Sequence, residues 1–174
     1  MSEHDREFEE FARARTPVLV RSAWLLCGDA HLAEDLVQET LAKVYVRWHA
    51  PFRSSIENPV AYAQTALTRT FLSSRRRRSS TERPTADLPE RSVTDETDLT
   101  ATRIALLDAL AGLGPADRVV LVLRYLEDLS VEETAQRMGV SPGAVRSRSM
   151  RALERVRPLL DDSLANTPRE RHHP

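Results

Sequence analysis

Between Gly139 and Arg157 the sequence reads GVSPGAVRSRSMRALERVR, with Arg146, Arg148, Arg151, Arg155 and Arg157 set against a single acid, Glu154. Such a density of guanidinium groups suits one chemistry above others, the binding of a polyanion. The chain as a whole has Lys+Arg 25 and Asp+Glu 26, a formal net charge of −1. Any affinity for nucleic acid must therefore come from uneven placement of charge. The groups able to do bond-making chemistry are sparse. The five histidines and the single Cys27 form no convergent set, so the expectation is no enzyme, no metal and no cofactor. A lone cysteine excludes an intramolecular disulfide and a cysteine-based zinc site, and Cys27 is expected to pack as a small apolar side chain. The pair His172-His173 lacks other ligands nearby in sequence.

The arginine segment has the punctuation of a helix-turn-helix. Ser130-Val-Glu-Glu133 is a capping box that opens one short helix, Gly139 closes it, and Ser141-Pro142 opens the next. At 100° per residue, Val145, Ser149, Ala152, Leu153 and Val156 share the buried face of that last helix. Gly143, Ala144, Ser147, Met150 and Arg151 then point outward, with Arg146 on one edge and Arg148 and Arg155 on the other. Small residues in the first turn permit close approach to a major groove, and the edge arginines can reach both phosphate walls. Free N–H groups from Ser141 to Ala144 add an anion-binding end.

Two further faces lie in the first half. From Asp29 to Trp48, Leu32, Ala33, Leu36, Val37, Thr40, Val44 and Trp48 form an inward stripe. Opposite it Asp35, Gln38, Glu39, Ala42 and Val46 mix acids, an amide and uncovered aliphatics, a face suited to a basic protein partner. From Asn58 onward, Asn58, Tyr62, Thr65, Arg69, Ser73 and Arg76 form a second exposed stripe. An aromatic interleaved with hydrogen-bonding groups and arginines fits single-stranded nucleic acid, with a base stacked on Tyr62. The preceding loop supplies Phe52, Arg53, Ser54 and Ser55, which could line a pocket for an extruded base.

The elements that must position these groups are all helical, and no strand-like alternation or internal repeat is present. A short helix over Asp5 to Ala14 is followed by a second from Thr16-Pro17 to Cys27, with Gly28 as its left-handed terminator. The Asp29 helix and the Asn58-Pro59 helix complete the first unit, residues 1–78. Residues 79–100 hold two prolines, six acids and two arginines with almost nothing to bury, and read as a flexible acidic linker. A second unit spans 101–160, and 161–174 reads as a disordered tail. The fold class is therefore all-α, two small helical domains joined by the linker. The acidic N-terminus MSEHDREFEEF is no signal peptide, and no apolar run nears the roughly 18 residues that cross a bilayer. A cytoplasmic protein is expected.

The ordered set AEDLVQETLAKVY, ENPVAY…SSRRRR and LGPADRVVLVLRYLEDLSVEETAQRMGVSPGAVRSRSMRALERVR resembles the extracytoplasmic-function sigma factors, most of all an actinobacterial branch. The resemblance implies a non-enzymatic specificity subunit of RNA polymerase. It assigns Asp35, Gln38, Glu39 and Ala42 to the clamp of the largest polymerase subunit, with the flap of the second subunit as a further contact. It assigns Phe52, Arg53, Ser54, Asn58, Tyr62, Thr65, Arg69 and Arg76 to the melted minus-ten element. It assigns Ser141, Gly143, Ala144, Arg146, Ser147, Arg148 and Arg151 to the duplex minus-thirty-five element. An anti-sigma protein is a common partner in the wider family. Where family members often read Thr-Val-Lys-Ser, this chain has Ala144-Val145-Arg146-Ser147, and Ala144 cannot donate a hydrogen bond. The competing reading is a stand-alone, LuxR-like regulator, which uses the second unit and leaves the faces of the first idle.

Overall fold

The computed structural model describes residues 2–50, 56–81 and 101–165, with side chains placed throughout except at 79–81, 101–103 and 162–165. Every regular element among them is a helix: α1 Glu3–Cys27, α2 Ala30–Trp48, α3 Pro59–Thr81, α4 Ala101–Ala111, α5 Pro115–Leu121, α6 Val131–Met138 and α7 Pro142–Ala165. A π turn, Val122–Leu126, extends α5, with Glu127 N donating to Val122 O.

The caps fall where their residue types demand. The Asp29 carboxylate accepts from Leu32 N at 2.8 Å to start α2, and Asn58 Oδ1 accepts from Ala61 N at 3.0 Å to start α3. Ser130 and Glu133 exchange side-chain and backbone bonds of 3.0 and 2.8 Å at the head of α6. The Glu133 carboxyl is held below its usual range by the Ser130 N–H and hydroxyl. α1 and α6 both end at glycines with left-handed φ, Gly28 at 72° and Gly139 at 69°. A side chain there would carry a steric cost that glycine avoids.

Three helix boundaries differ from expectation. The first helix does not break at Thr16-Pro17: α1 is continuous and Pro17 lies inside it. The proline removes one backbone donor, and the Thr16 hydroxyl bonds back to Ala12 O at 2.7 Å. The segment before Pro17 is anchored by aromatic packing, with Phe8 5.0 Å from Tyr45 and Phe11 5.2 Å from Trp48 between ring centroids. α7 likewise passes through Pro158 and reaches Ala165, so residues 161–165 of the expected disordered tail are helical. At the other expected boundary α3 extends to Thr81, three residues beyond Arg78. The rest of the acidic stretch, 82–100, and residues 166–174 lie outside the described residues.

In the first half, Leu19, Ala23 and Leu26 of α1 pack with Ala33, Leu36, Val37 and Val44 of α2 and Ala63, Leu67 and Phe71 of α3. In the second, Leu110, Leu113, Val119–Leu123, Ala135, Met138, Val145, Ala152 and Val156 are buried. Both sets belong to one continuous apolar cluster. Cys27 is buried in it, and desolvation pushes its thiol up to about 11, so it stays protonated and inert at neutral pH.

Candidate polymerase and nucleic-acid interfaces

α2 presents the mixed face as the wheel requires. Asp35, Gln38, Ala42 and Val46 are exposed, Val46 at 71%, and Glu39 is half-buried at their edge. Glu39 is the one member tied down: Lys43 Nζ sits 2.8 Å and Arg77 Nη2 3.6 Å from its Oε1. The bond from Lys43 holds the Glu39 carboxyl below its usual range. The face is thus fixed in place by a cation on its own helix and another on α3, while Asp35 and Gln38 remain exposed.

The α3 stripe borders a groove of about 230 Å³ lined by Lys43, Tyr62, Thr65, Ala66, Arg69, Thr70 and Ser73. Tyr62 and Thr65 are half-buried along it, whereas Asn58, Arg69 and Arg76 are exposed. Asn58 spends its amide oxygen on the helix cap, which gives it a structural duty beside any contact with DNA. The sequence reading missed Lys43 as a groove residue. Its ammonium donates to the Thr70 hydroxyl at 2.9 Å, and so brings a cation from α2 to the α3 groove. The available signal was that Lys43 is the chain's only lysine, one turn after Glu39. Phe52, Arg53 and Ser54, the expected base pocket, lie outside the described residues.

α7 follows the Gly139 turn with Val145, Ser149, Ala152 and Val156 buried. Ser141, Gly143, Arg146, Ser147 and Arg151 are exposed, and Ala144 and Arg148 are half-buried. The Ser141 hydroxyl accepts from Ala144 N at 3.2 Å, so one first-turn N–H is already occupied. The edges hold the arginines the wheel placed there, each against an acid. Arg146 lies 3.2 Å from Glu132 of α6, and Asp117 of α5 takes Arg148 at 3.4 Å and Arg155 at 3.3 Å. Met150, 60% exposed, stands on the outward face. The described residues thus carry three distinct faces, two of them cationic.

Comparisons with known proteins match these halves separately. The family model Sigma-70 region 2 matches residues 11–81, and Sigma-70, region 4 matches residues 103–156. The chain is 41% identical over 155 residues to the RNA polymerase sigma-E factor of Streptomyces avermitilis, covering 89% of this chain and 86% of that protein. It is 31% identical over 152 residues to the ECF RNA polymerase sigma factor SigL of Mycobacterium tuberculosis, covering 83% and 84% of the two. Among solved structures it is similar to the sigma factor RpoE in complex with the anti-sigma factor NepR from Bartonella quintana, at a TM-score of 0.65 and 26% identity, covering 90% and 98% of the two chains. With both regions matched in order and relatives aligned over most of their length, the chain belongs to the ECF RNA polymerase sigma factors.

Proposed function

We propose that the chain binds core RNA polymerase through the α2 face and directs promoter-specific initiation by two chemically different readings of DNA. α7 enters the major groove of the minus-thirty-five element as duplex, with Gly143 and Ala144 allowing close approach. Arg146, Ser147 and Arg151 face base edges and phosphates, and Arg148 takes the opposite wall. The α3 groove captures melted minus-ten bases: Tyr62 offers a stacking face, Thr65 hydrogen bonds, and Arg69 and Arg76 phosphate contacts. Phe52, Arg53 and Ser54 complete the minus-ten set on the strength of the sequence pattern. An anti-sigma protein is a further partner, by analogy with the complex of the Bartonella relative.

The observation that carries the reading is the coexistence of an exposed helix-turn-helix arginine face with a tyrosine-bearing groove on a separate helix. A stand-alone regulator needs the first and has no use for the second. The test is co-elution of the purified chain with core RNA polymerase, beside an Asp35→Arg/Gln38→Ala variant. Binding by the wild type, lost at least about tenfold in the variant, supports the polymerase face, since like charge across an interface costs several kcal/mol. A folded wild type that never co-elutes would move the reading to the stand-alone regulator.

A further inference from the structure

Four guanidinium groups line a cleft of about 750 Å³, Arg69, Arg75 and Arg76 from α3 and Arg148 from α7. No carboxylate is among its lining residues, and Leu72, Met138 and Val140 add apolar surface. In a chain of net charge −1 such a concentration of cations is a local feature. A concave volume of this size, part apolar and part converging charge, has the build of a small-molecule site.

The four arginines are held by contacts that leave much of their charge free. Arg75 is half-buried with its guanidinium 5.5 Å from the centre of the Phe71 ring, and among the described residues it meets no acid within ion-pair distance and no hydrogen-bond acceptor. Arg69 gives Nε to Arg137 O at 3.4 Å and Nη2 to Gln136 O at 3.3 Å, which leaves Nη1 unengaged among the described residues. Arg76 reaches the Ser73 hydroxyl at 3.5 Å. Arg148 has an acid, Asp117 at 3.4 Å, which stands outside the cleft lining. The positive field extends past the cleft: burial, and after it the charge of Arg75, bring the guanidinium of buried Arg118 down to about 10.

We propose that this cleft binds a polyphosphate chain, either the triphosphate of a nucleotide or an inorganic polyphosphate, and that the bound chain excludes promoter DNA. A planar guanidinium holds two phosphate oxygens at once, which favours phosphate over other anions. Four such groups call for several linked anionic centres, more than a single phosphate supplies. A nucleotide also finds a place for its base, because Arg69 and Ser73 line the Tyr62 groove as well as the cleft. Tyr62 precedes Arg69 by seven residues, roughly 10 Å along α3 at ~1.5 Å per residue. The exclusion of DNA rests on the promoter reading above, since Arg69, Arg76 and Arg148 are the side chains given there to DNA. Arg75 belongs to neither DNA face and so separates the two roles.

The test is calorimetric titration of the full chain at constant ionic strength, without divalent cations, with inorganic tripolyphosphate, ATP and inorganic phosphate. Tripolyphosphate and ATP should each bind at one site per chain, about a hundredfold tighter than phosphate, as two further charge-assisted hydrogen bonds require. Arg75→Met should weaken tripolyphosphate about tenfold, and so should Arg76→Gln, at an exposed position where folding is not at stake. Arg157→Met, exposed on α7 outside the cleft lining, should leave the affinity unchanged. Circular dichroism checks that each variant is folded. ATP binding tighter than tripolyphosphate, with the difference erased by Tyr62→Leu, supports the site with a nucleotide as its ligand; equal affinities support it with the inorganic chain. The site is overturned by phosphate binding as tightly as tripolyphosphate, by the lack of a saturable site, or by Arg157→Met weakening binding as much as Arg75→Met.

Tripolyphosphate should also displace a fluorescent oligothymidine from the wild type at its calorimetric affinity, and from Arg75→Met only at about tenfold higher concentration. An oligonucleotide that stays bound at saturating tripolyphosphate overturns the exclusion. Co-elution with polymerase judges the promoter reading separately: its failure removes the exclusion of promoter DNA and leaves the calorimetric site standing.

Discussion

The arginines of α7 and α3 that the proposed function gives to DNA are held differently at rest. On α7, Arg146, Arg148 and Arg155 each face a carboxylate, with Asp117 serving two of them. On α3, Arg69 sits on carbonyls, Arg75 lies over the Phe71 ring at 5.5 Å, and Arg76 reaches the Ser73 hydroxyl at 3.5 Å. Neutral partners leave the positive charge unbalanced, whereas carboxylates cancel it. On the proposed reading a duplex phosphate must therefore displace an acid to reach Arg146 or Arg148, while a single strand meets uncancelled charge at Arg69 and Arg76. The difference leads to the expectation that this chain, of net charge −1, binds duplex weakly on its own despite the arginines of α7.

Removing one side of the comparison has the largest expected effect. Phe71→Ala empties the centre of the first half, where the ring is 1% exposed, and should lower unfolding free energy by about 3–5 kcal/mol in a denaturant titration. A loss under 1 kcal/mol would mean that the α3 packing is not as described. Next comes Asp117→Asn, which uncovers Arg148 and Arg155 together. Duplex affinity at moderate salt should rise about fivefold, from two surface ion pairs each worth up to about 1 kcal/mol; unchanged affinity would show that the acid does not compete with DNA. Glu132→Gln frees only Arg146 in a well-solvated pair, and the same titration should gain less than about twofold.

The smallest effect is on acid stability. The Glu133 pKa is depressed in the folded chain, so its contribution is full above the unfolded value. It is lost as pH falls through the folded value. Glu133→Gln keeps an acceptor for the Ser130 N–H and removes the titration. Its melting temperature should fall less steeply than the wild type's between about pH 5 and 3. Parallel curves would remove the capping box from the account of acid sensitivity.

Much of this architecture was legible because it is written in local chemistry. Asp29, Asn58-Pro59 and the Ser130–Glu133 box start helices where expected, and Gly28 and Gly139 end them. The α2 and α7 wheels place Val44 and Val145 in the core and Val46 and Arg151 outside. The Arg146 edge and the Arg148/Arg155 edge of α7 were also on the predicted sides. What failed to show was set by partners distant in sequence. The continuity of α1 through Pro17 depends on rings of α2 that hold its first turns. Glu132 and Asp117 could not be matched to their arginines without knowing how α5 and α6 cross α7. Arg69, which bonds the Gln136 and Arg137 carbonyls, and Arg118, which bonds Leu26 O at 2.7 Å, were hardest of all, because every residue has a backbone carbonyl. Nothing in the identities of Leu26, Gln136 or Arg137 marks them as acceptors.

The π turn at Val122–Leu126 makes this stretch of helix one residue longer than its path requires. Deleting one residue inside it would let the helix close into ordinary α geometry instead of breaking it. An i→i+5 turn that loses one residue becomes an i→i+4 turn over nearly the same sweep, so the side chains on either side of the deletion would keep their relative facing. A loss of one residue is thus absorbed here by backbone and surface alike, next to Tyr125 and Leu126, both exposed, where no core packing holds the extra residue in place.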